Sequence, residues 1–428
     1  MLALIKYKLQ SYHFRKQYFR NMKYDVIIIG AGQAGLTTAV TLRQKKFNGS
    51  ILLVGDERHL PYQRPPLSKS FIKEEIPEKR LLLKSKSYFE KNKIDCLSNA
   101  LVISINRKRK NIRLNDGKEF HYGKLVICTG SSLKRLNLTC GSTNIHYLRT
   151  IEDSKQIKST FRTQNKLVIL GAGYIGLEIA SVAINQGLDV TVIELQDKVM
   201  SRSVSSNTAT FLRRKHEKAG VKFLFKTSVE DIEDQQLQKR IVCNDGTIIY
   251  ADTVIIGVGI SPNTELAIKS GLDCKDGILV DKLTQTSDIN IYSSGDCTNH
   301  PNKIFKQRLR IESVQNAVEQ SKIVASSIIG EETEYDTIPW FWSEQYNIKL
   351  QIAGISSSDY KTIVRGNLSE EKFAVYFFNN NKLKAIEAVN DQKSFMLAKK
   401  LIGSQDIIAE DSINNKSKNI RDWVKKIQ

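Results

Sequence analysis

The chain has 428 residues, 41% hydrophobic and 26% charged, with a formal net charge of +20. That length suits two or three domains of a soluble globular protein, and no apolar run approaches the roughly 18 residues a membrane-spanning helix needs. Six cysteines (Cys96, Cys128, Cys140, Cys243, Cys274, Cys297) lie scattered without a CxxC pair, which argues for a reducing compartment and against a disulfide framework or a zinc site.

Residues 1–22 read as a basic leader or tail outside the fold. Residues 1–24 carry Lys6, Lys8, Arg15, Lys16, Arg20 and Lys23 and no acid, and without these six the balance is still +14. An acid-free, arginine-containing stretch loosely fits a transit peptide. Met22, directly before the first strand, reads as a second start. The expected location is cytoplasmic, or the mitochondrial matrix if residues 1–22 act as a presequence.

The first element is the apolar strand Val26-Ile27-Ile28-Ile29. It runs into Gly30-Ala31-Gly32-Gln33-Ala34-Gly35 and then a helix-like segment. The pattern returns as Leu167-Val168-Ile169-Leu170 followed by Gly171-Ala172-Gly173-Tyr174-Ile175-Gly176. One GxGxxG is a weak signal, but two copies, each between a strand and a helix, are strong. The glycines allow a tight turn and close approach of a pyrophosphate, which the free N–H groups of the helix start then bind. Two such cradles imply two dinucleotides, most economically a flavin and a nicotinamide.

An acid follows each loop at close to the offset of about 20 residues at which a carboxylate meets a ribose hydroxyl. Gly35 to Asp56 is 21 residues and Gly176 to Glu194 is 18. Asp56 ends the strand Ile51–Val54, and Glu194 ends Val190–Ile193. Glu194 should repel a 2′-phosphate, which favours NADH over NADPH; Arg202 nearby is the residue that would accommodate that phosphate. A flavoenzyme that passes electrons through its own dithiol needs two close cysteines, and none lies between Gly35 and Cys96.

The chain then repeats itself. Asp116-Gly117, Tyr122 and the strand Leu125–Cys128 ending in Thr129-Gly130 correspond to Asp245-Gly246, Tyr250 and Val254–Ile256 ending in Gly257-Val258-Gly259. Asp116 to Gly130 and Asp245 to Gly259 are each 14 residues. Alternating segments before each copy indicate an antiparallel meander with a DG turn. Gly130 and Gly259 end strands that pass close to a bound cofactor. The basic run Arg107–Lys110 has no interleaved aromatics and sits at a hairpin turn, so nucleic acid is not the expected partner. The basic balance suits an acidic partner instead.

The strand Asn290–Ser294 ends in Gly295-Asp296, and a helix-like run spans Ile311–Ile329. Together they return the chain to the first domain, with the second inserted. The last domain opens on Pro339-Trp340-Phe341-Trp342 and continues with alternating strands (Lys349–Ile352, Lys372–Phe377) and a helix over Gln392–Ile402, before a basic tail. Trp340 and Trp342 alternate, and the bland alternative to a role at the site is one ring in the core and one exposed, a pattern any strand can show. His59, His121, His146, His216 and His300 are far apart in sequence and none is assigned a catalytic role.

Three segments carry a family resemblance: Arg64-Pro65-Pro66-Leu67-Ser68-Lys69, Arg310-Ile311-Glu312-Ser313-Val314-Gln315-Asn316-Ala317, and Pro339-Trp340-Phe341-Trp342-Ser343-Glu344-Gln345-Tyr346. From about Lys23 to about Ile402 the chain resembles the FAD-dependent ferredoxin reductases that serve bacterial oxygenases. The resemblance implies an α/β fold of two glutathione-reductase-like, Rossmann-type dinucleotide-binding domains plus a C-terminal α+β domain. The implied boundaries are residues 23–130 with 261–334 for FAD, 131–260 inserted for NAD, and 335–428 for the C-terminal domain.

It also implies NADH oxidation by bound FAD and single-electron delivery to an acidic [2Fe–2S] ferredoxin docked near the flavin edge, with no metal of the chain's own. Ala34 and Asp56 match contacts on the adenosine side of FAD, and Val102 a contact near adenine. Lys69 matches a lysine beside the flavin ring, Arg149 an arginine touching FAD, Asp296 and Val314 ribityl and ring contacts, and Glu178 a glutamate facing Lys69. Arg64 and Trp340 join these cofactor contacts, with Gly30, Gly32 and Gly35 on the FAD side and Gly171, Gly173, Ile175, Gly176, Glu194, Arg202 and Gly259 on the NAD side. Lys69, Glu178 and Trp342 are the candidate catalytic residues.

The sequence departs from the resemblance at Ser131–Arg135, where relatives have a Pro-Arg turn, and at Glu344, where aspartate is common. Alternatives on the same scaffold are a rubredoxin, nitrite or monodehydroascorbate reductase, and a redox-signalling flavoprotein like apoptosis-inducing factor.

Overall fold

The computed structural model describes residues 22–137, 141, 143–408, 410–415 and 422–423. The basic leader through residue 21, Cys140 and most of the basic tail lie outside the described residues. The chain divides into two compact units. The first comprises the described residues up to Tyr62, Leu82–Ser131 and Pro262–Thr337; the second comprises Gln63–Leu81, Ser132–Ser261 and the described residues from Ile338 onward.

The first unit is built on a seven-stranded sheet. Met22–Ile29 lies between Ile51–Val54 and Glu119–Ile127, parallel to both, and Ile94–Leu97 extends the sheet beyond Ile51–Val54. Ile291–Ser293 pairs in parallel with Glu119–Ile127, so the late strand does return to this sheet. Val26 and Ile28 face the helices Gln33–Gln44 and Val314–Ile328, whereas Ile27 and Ile29 face a second core with Val102, Ile112 and Phe120. Burial on both faces explains the unbroken apolar run Val26–Ile29. The two helices are pinned together where Ser321 donates to the Ala34 carbonyl at 2.8 Å.

The second unit contains a five-stranded parallel sheet in the order Lys222–Phe225, Asp189–Glu194, Lys166–Leu170, Thr253–Ile256, Ile145–His146. A separate three-stranded meander runs through Val229–Gln235, Gln238–Cys243 and Ile248–Ala251. The C-terminal part is a five-stranded antiparallel sheet, Trp340–Gln345, Ile348–Gly354, Lys382–Val389, Lys372–Asn379, Lys361–Asn367, backed by the helix Gln392–Ser404.

The sequence repeat corresponds to a structural repeat, with one difference. In the first unit, meander strand and return strand are one nine-residue strand, Glu119–Ile127, because Met22–Ile29 is long enough to pair along it. In the second, the partner Lys166–Leu170 has only five residues, and the chain breaks into Ile248–Ala251 and Thr253–Ile256, in separate sheets. Tyr122 is accordingly buried, while its counterpart Tyr250 is exposed.

Each unit buries a histidine, His300 in the first and His216 in the second. Burial pushes both imidazoles from 6.5 down to about 4, with the Arg308 charge adding to the effect at His300. The unfolded chain therefore takes up protons first as pH falls below 6.5, and stability drops until the folded rings titrate near 4. Each ring should cost about 2 kcal/mol between pH 7 and pH 5. Denaturant midpoints measured across that interval test this; a midpoint that stays flat contradicts it.

Candidate active site

In the first unit the strand Met22–Ile29 delivers the chain into Gly30 at φ +106°, where a Cβ would lie 2.1 Å from the Cys128 carbonyl oxygen. Only glycine tolerates that turn. A Cβ on Gly35 would lie 2.0 Å from the Gly30 carbonyl oxygen, so the helix start is packed directly on the loop. A Cβ on Gly32 would meet nothing within 4 Å. Gly32 caps the helix Gln33–Gln44 without any side-chain hydrogen bond to the first turn, which leaves that turn's N–H groups to a ligand.

Asp56 is exposed just beyond Ile51–Val54, and Gly55 brings this strand end against Ala31 of the loop. Gly295, at φ +90°, sits beside Ala34, and Asp296 accepts from Ser131 Oγ at 3.0 Å. Val314 opens its helix behind the Ser313 cap. The first unit thus gathers Gly30, Gly32, Ala34, Gly35, Asp56, Asp296 and Val314. Val102 is buried in the core under the hairpin, paired with Leu114.

The second unit repeats the cradle. Gly171 has φ +102° and its Cβ would lie 2.6 Å from the Gly257 carbonyl oxygen; Gly176 packs on Gly171; Gly173 faces open space and caps Tyr174–Asn185 without a side-chain bond. Glu194 accepts from the Ala172 N–H at 2.7 Å and the Gln196 N–H at 2.9 Å, which ties the strand end to the loop. Ile175 is 41% exposed at the helix start. Arg202 is exposed on the segment after Glu194, and Gly259 turns at φ +112°.

The residues of Gln63–Leu81 belong to this unit as well. Arg64 donates to the Arg149 carbonyl at 2.6 Å, and Ser154 to the Leu67 carbonyl at 2.8 Å. Arg149 is held at the entry to the helix Ile151–Thr160, where Thr150 and Asp153 form a capping box. The 3-10 turn Pro65–Ser68 presents Ser68 and Lys69 to one carboxylate. Glu178, 2% exposed, accepts from Lys69 Nζ at 2.7 Å, Ser68 Oγ at 2.5 Å and Ser343 Oγ at 2.6 Å. A carboxylate this deeply buried needs such partners.

The strand Trp340–Gln345 is read with period two. Phe341 touches Tyr174, Ser343 reaches Glu178 and Gln345 reaches His216, all from one face. Trp340 and Trp342 share the other face with ring centroids 5.5 Å apart, both half-buried. The alternative of one core and one exposed tryptophan is therefore wrong: residues two apart on a strand point the same way.

Residues 24–321 match the pyridine nucleotide-disulphide oxidoreductase family model. The chain belongs to that family. Residues 340–424 of this oxidoreductase match the reductase C-terminal domain. Rhodocoxin reductase of Rhodococcus erythropolis is 37% identical to it, with 89% of this chain and 90% of the relative aligned. Putidaredoxin reductase of Pseudomonas putida is 36% identical, with 89% and 92% aligned. A solved complex of putidaredoxin reductase covalently joined to putidaredoxin superimposes with a TM-score of 0.90 at 33% identity, covering 95% of this chain and 99% of that one.

The resemblance and the mixed α/β architecture read from the sequence are thus borne out, and the oxidoreductase is a flavoprotein homologous to ferredoxin reductases of oxygenase systems. The family's cofactors are FAD and NAD(P)H, and the residues present fit two dinucleotides: Gly32 and Gly173 each leave open space before an uncapped helix start. Among the described residues no helix is long and apolar enough to cross a membrane.

The sequence reading missed Ser68 and Ser343. Both stand inside the segments that carried the resemblance, beside Lys69 and Trp342. Nothing local marks them, because their shared partner Glu178 is 110 and 165 residues away.

Proposed function

We propose that this chain oxidises NADH and passes the electrons singly to a small [2Fe–2S] ferredoxin that feeds an oxygenase. The carrying observation is the pair of matched glycine cradles together with the Lys69–Glu178 ion pair. The first unit holds FAD through Gly30, Gly32, Ala34, Gly35, Asp56, Val102, Asp296 and Val314. The second holds NADH through Gly171, Gly173, Ile175, Gly176, Glu194 and Gly259. Glu194 sets a carboxylate against any 2′-phosphate, and exposed Arg202 is the residue read as accommodating one.

Bound FAD supplies the conversion of a two-electron donor into two one-electron deliveries. The chain's part is positional and electrostatic. Lys69, fixed by Glu178, supplies a cation for the reduced flavin, and Trp342, on the face of its strand opposite Ser343, is the further candidate. Among the described residues the cysteines are free thiols, and burial pushes Cys96 up to about 11 and Cys128 up to about 12, far from the thiolate form.

The relatives' names support the acceptor class, and the basic balance suits an acidic partner. A second reading has its own support: rubredoxin-NAD(+) reductase of Pseudomonas putida is 38% identical over 85% of this chain. Turnover with NADH separates the two. A [2Fe–2S] ferredoxin should be reduced much faster than rubredoxin or oxygen, and added salt should slow that delivery. Faster rubredoxin reduction would hand the acceptor to the second reading.

A further inference from the structure

An unbroken line of hydrogen bonds leads away from Glu178 within the second unit. Ser343 Oγ lies 2.6 Å from Glu178 Oε1, and Gln345 Nε2 lies 3.2 Å from Ser343 Oγ. His216 Nε2 lies 2.8 Å from Gln345 Oε1, and the Tyr346 hydroxyl lies 2.9 Å from His216 Nδ1. Glu178, Ser343, Gln345 and His216 are each no more than 2% exposed. Apolar side chains of the same volume would fill this space without the desolvation that four buried polar groups cost.

The direction of every bond in the line follows from its carboxylate end. An ionised carboxylate only accepts. Ser343 therefore donates its proton to Glu178, and its oxygen accepts from the Gln345 amide. That turns the Gln345 carbonyl oxygen toward His216, which requires the Nε2–H tautomer. Nδ1 is then left to accept from Tyr346. Burial keeps the ring neutral, with its pKa down to about 4, so it can donate at one nitrogen and accept at the other.

Backbone geometry at the far end agrees. Tyr346 turns the chain between Trp340–Gln345 and Ile348–Gly354 at φ +55°. That is the left-handed region, uncommon for a bulky aromatic, and it persists where surroundings over-determine it. Here the tyrosine ring packs on His216 with centroids 4.9 Å apart, and its hydroxyl closes the line.

We propose that Ser343, Gln345 and His216 are positioning residues that hold Glu178 Oε1, so that Oε2 is presented to Lys69 and the lysine ammonium is set in place for hydride transfer. The role given to Lys69 rests on the reductase reading above; the line of hydrogen bonds does not. The FAD-loaded full chain tests it with Ser343→Ala and Ser343→Thr. Flavin reduction at saturating NADH should slow about tenfold in Ser343→Ala, with FAD content unchanged, and threonine, which keeps the hydroxyl, should restore it to within about threefold.

Nitrogen NMR of isotope-labelled histidine, with His216 assigned through His216→Gln, should show a single Nε2–H tautomer in the wild type and a mixture in Ser343→Ala. Wild-type speed in Ser343→Ala, an equally slow Ser343→Thr, or an Nδ1–H tautomer in the wild type would each overturn the proposal. A wild-type chain that NADH cannot reduce would instead sink the reductase reading, and the histidine spectra, which need no turnover, would still decide the line.

Discussion

Replacing Lys69 by methionine should slow flavin reduction by NADH about 100-fold while leaving the protein yellow. The expected size is that of losing one charged group aimed at developing charge in a dry site. FAD content should change little, because in this reading the pyrophosphate is held by Gly32 and the uncapped helix start that follows it, not by Lys69. Stopped-flow absorbance separates the two quantities, and a rate equal to wild type would remove Lys69 from the chemistry.

The same substitution carries a structural cost. Glu178 keeps Ser68 and Ser343 as donors but loses the cation 2.7 Å away. A buried carboxylate stripped of its counter-charge costs about 3–5 kcal/mol. Adding Glu178→Gln to Lys69→Met removes the uncompensated charge, so the double variant should regain most of the stability while remaining slow. Recovery of stability without recovery of rate would show that the slow flavin reduction does not come from a weakened fold.

The second large effect divides the two cradles. Gly32→Val should give a folded but colourless protein, and Gly173→Val a yellow protein whose KM for NADH is raised. Both glycines have extended backbone angles that valine accepts, φ −90°, ψ −161° and φ −80°, ψ −172°. A Cβ at either meets nothing within 4 Å, so the branch point is accommodated and the side chain grows into the space the cradle leaves open. Losing hydrogen bonds between phosphate and the helix start is worth about 2–4 kcal/mol, roughly 30- to 700-fold in affinity.

Gly30→Ala provides the contrast. Its Cβ would sit 2.1 Å from a backbone oxygen at a positive φ, so that variant should fail by misfolding. Circular dichroism and flavin absorbance read out folding and FAD content in all three variants, and turnover measured against NADH concentration reads out the KM of Gly173→Val, where an unchanged KM would remove Gly173 from the NADH site. A Gly32→Val protein that retains FAD would show that the pyrophosphate does not approach there.

Much of this site was legible before any fold was known. Gly30, Gly32 and Gly35 act within six residues of one another, and each role follows from backbone sterics that a short motif specifies. The same holds for Gly171, Gly173 and Gly176. The strands Met22–Ile29 and Lys166–Leu170 were visible as apolar runs, because sheets buried on both faces tolerate few polar residues. Glu178 and Lys69 were paired in advance only through resemblance; their separation of 109 residues leaves no trace in spacing or periodicity. The placement of Trp340 and Trp342 on one face follows from the period of a strand alone.

The linear order of residues by itself determined two glycine loops that each open a helix, the acids Asp56 and Glu194 that follow them, and the repeat that relates the two halves. All of these are local, and local sterics or a fixed strand and helix period suffice to express them. Only the tertiary structure decided that Gln63–Leu81 packs with the second unit, that Ser68, Lys69 and Ser343 converge on one carboxylate, and that His216 is drawn into its support. Those contacts join distant segments, and they exist because a buried charge must find its donors wherever the packed chain brings them.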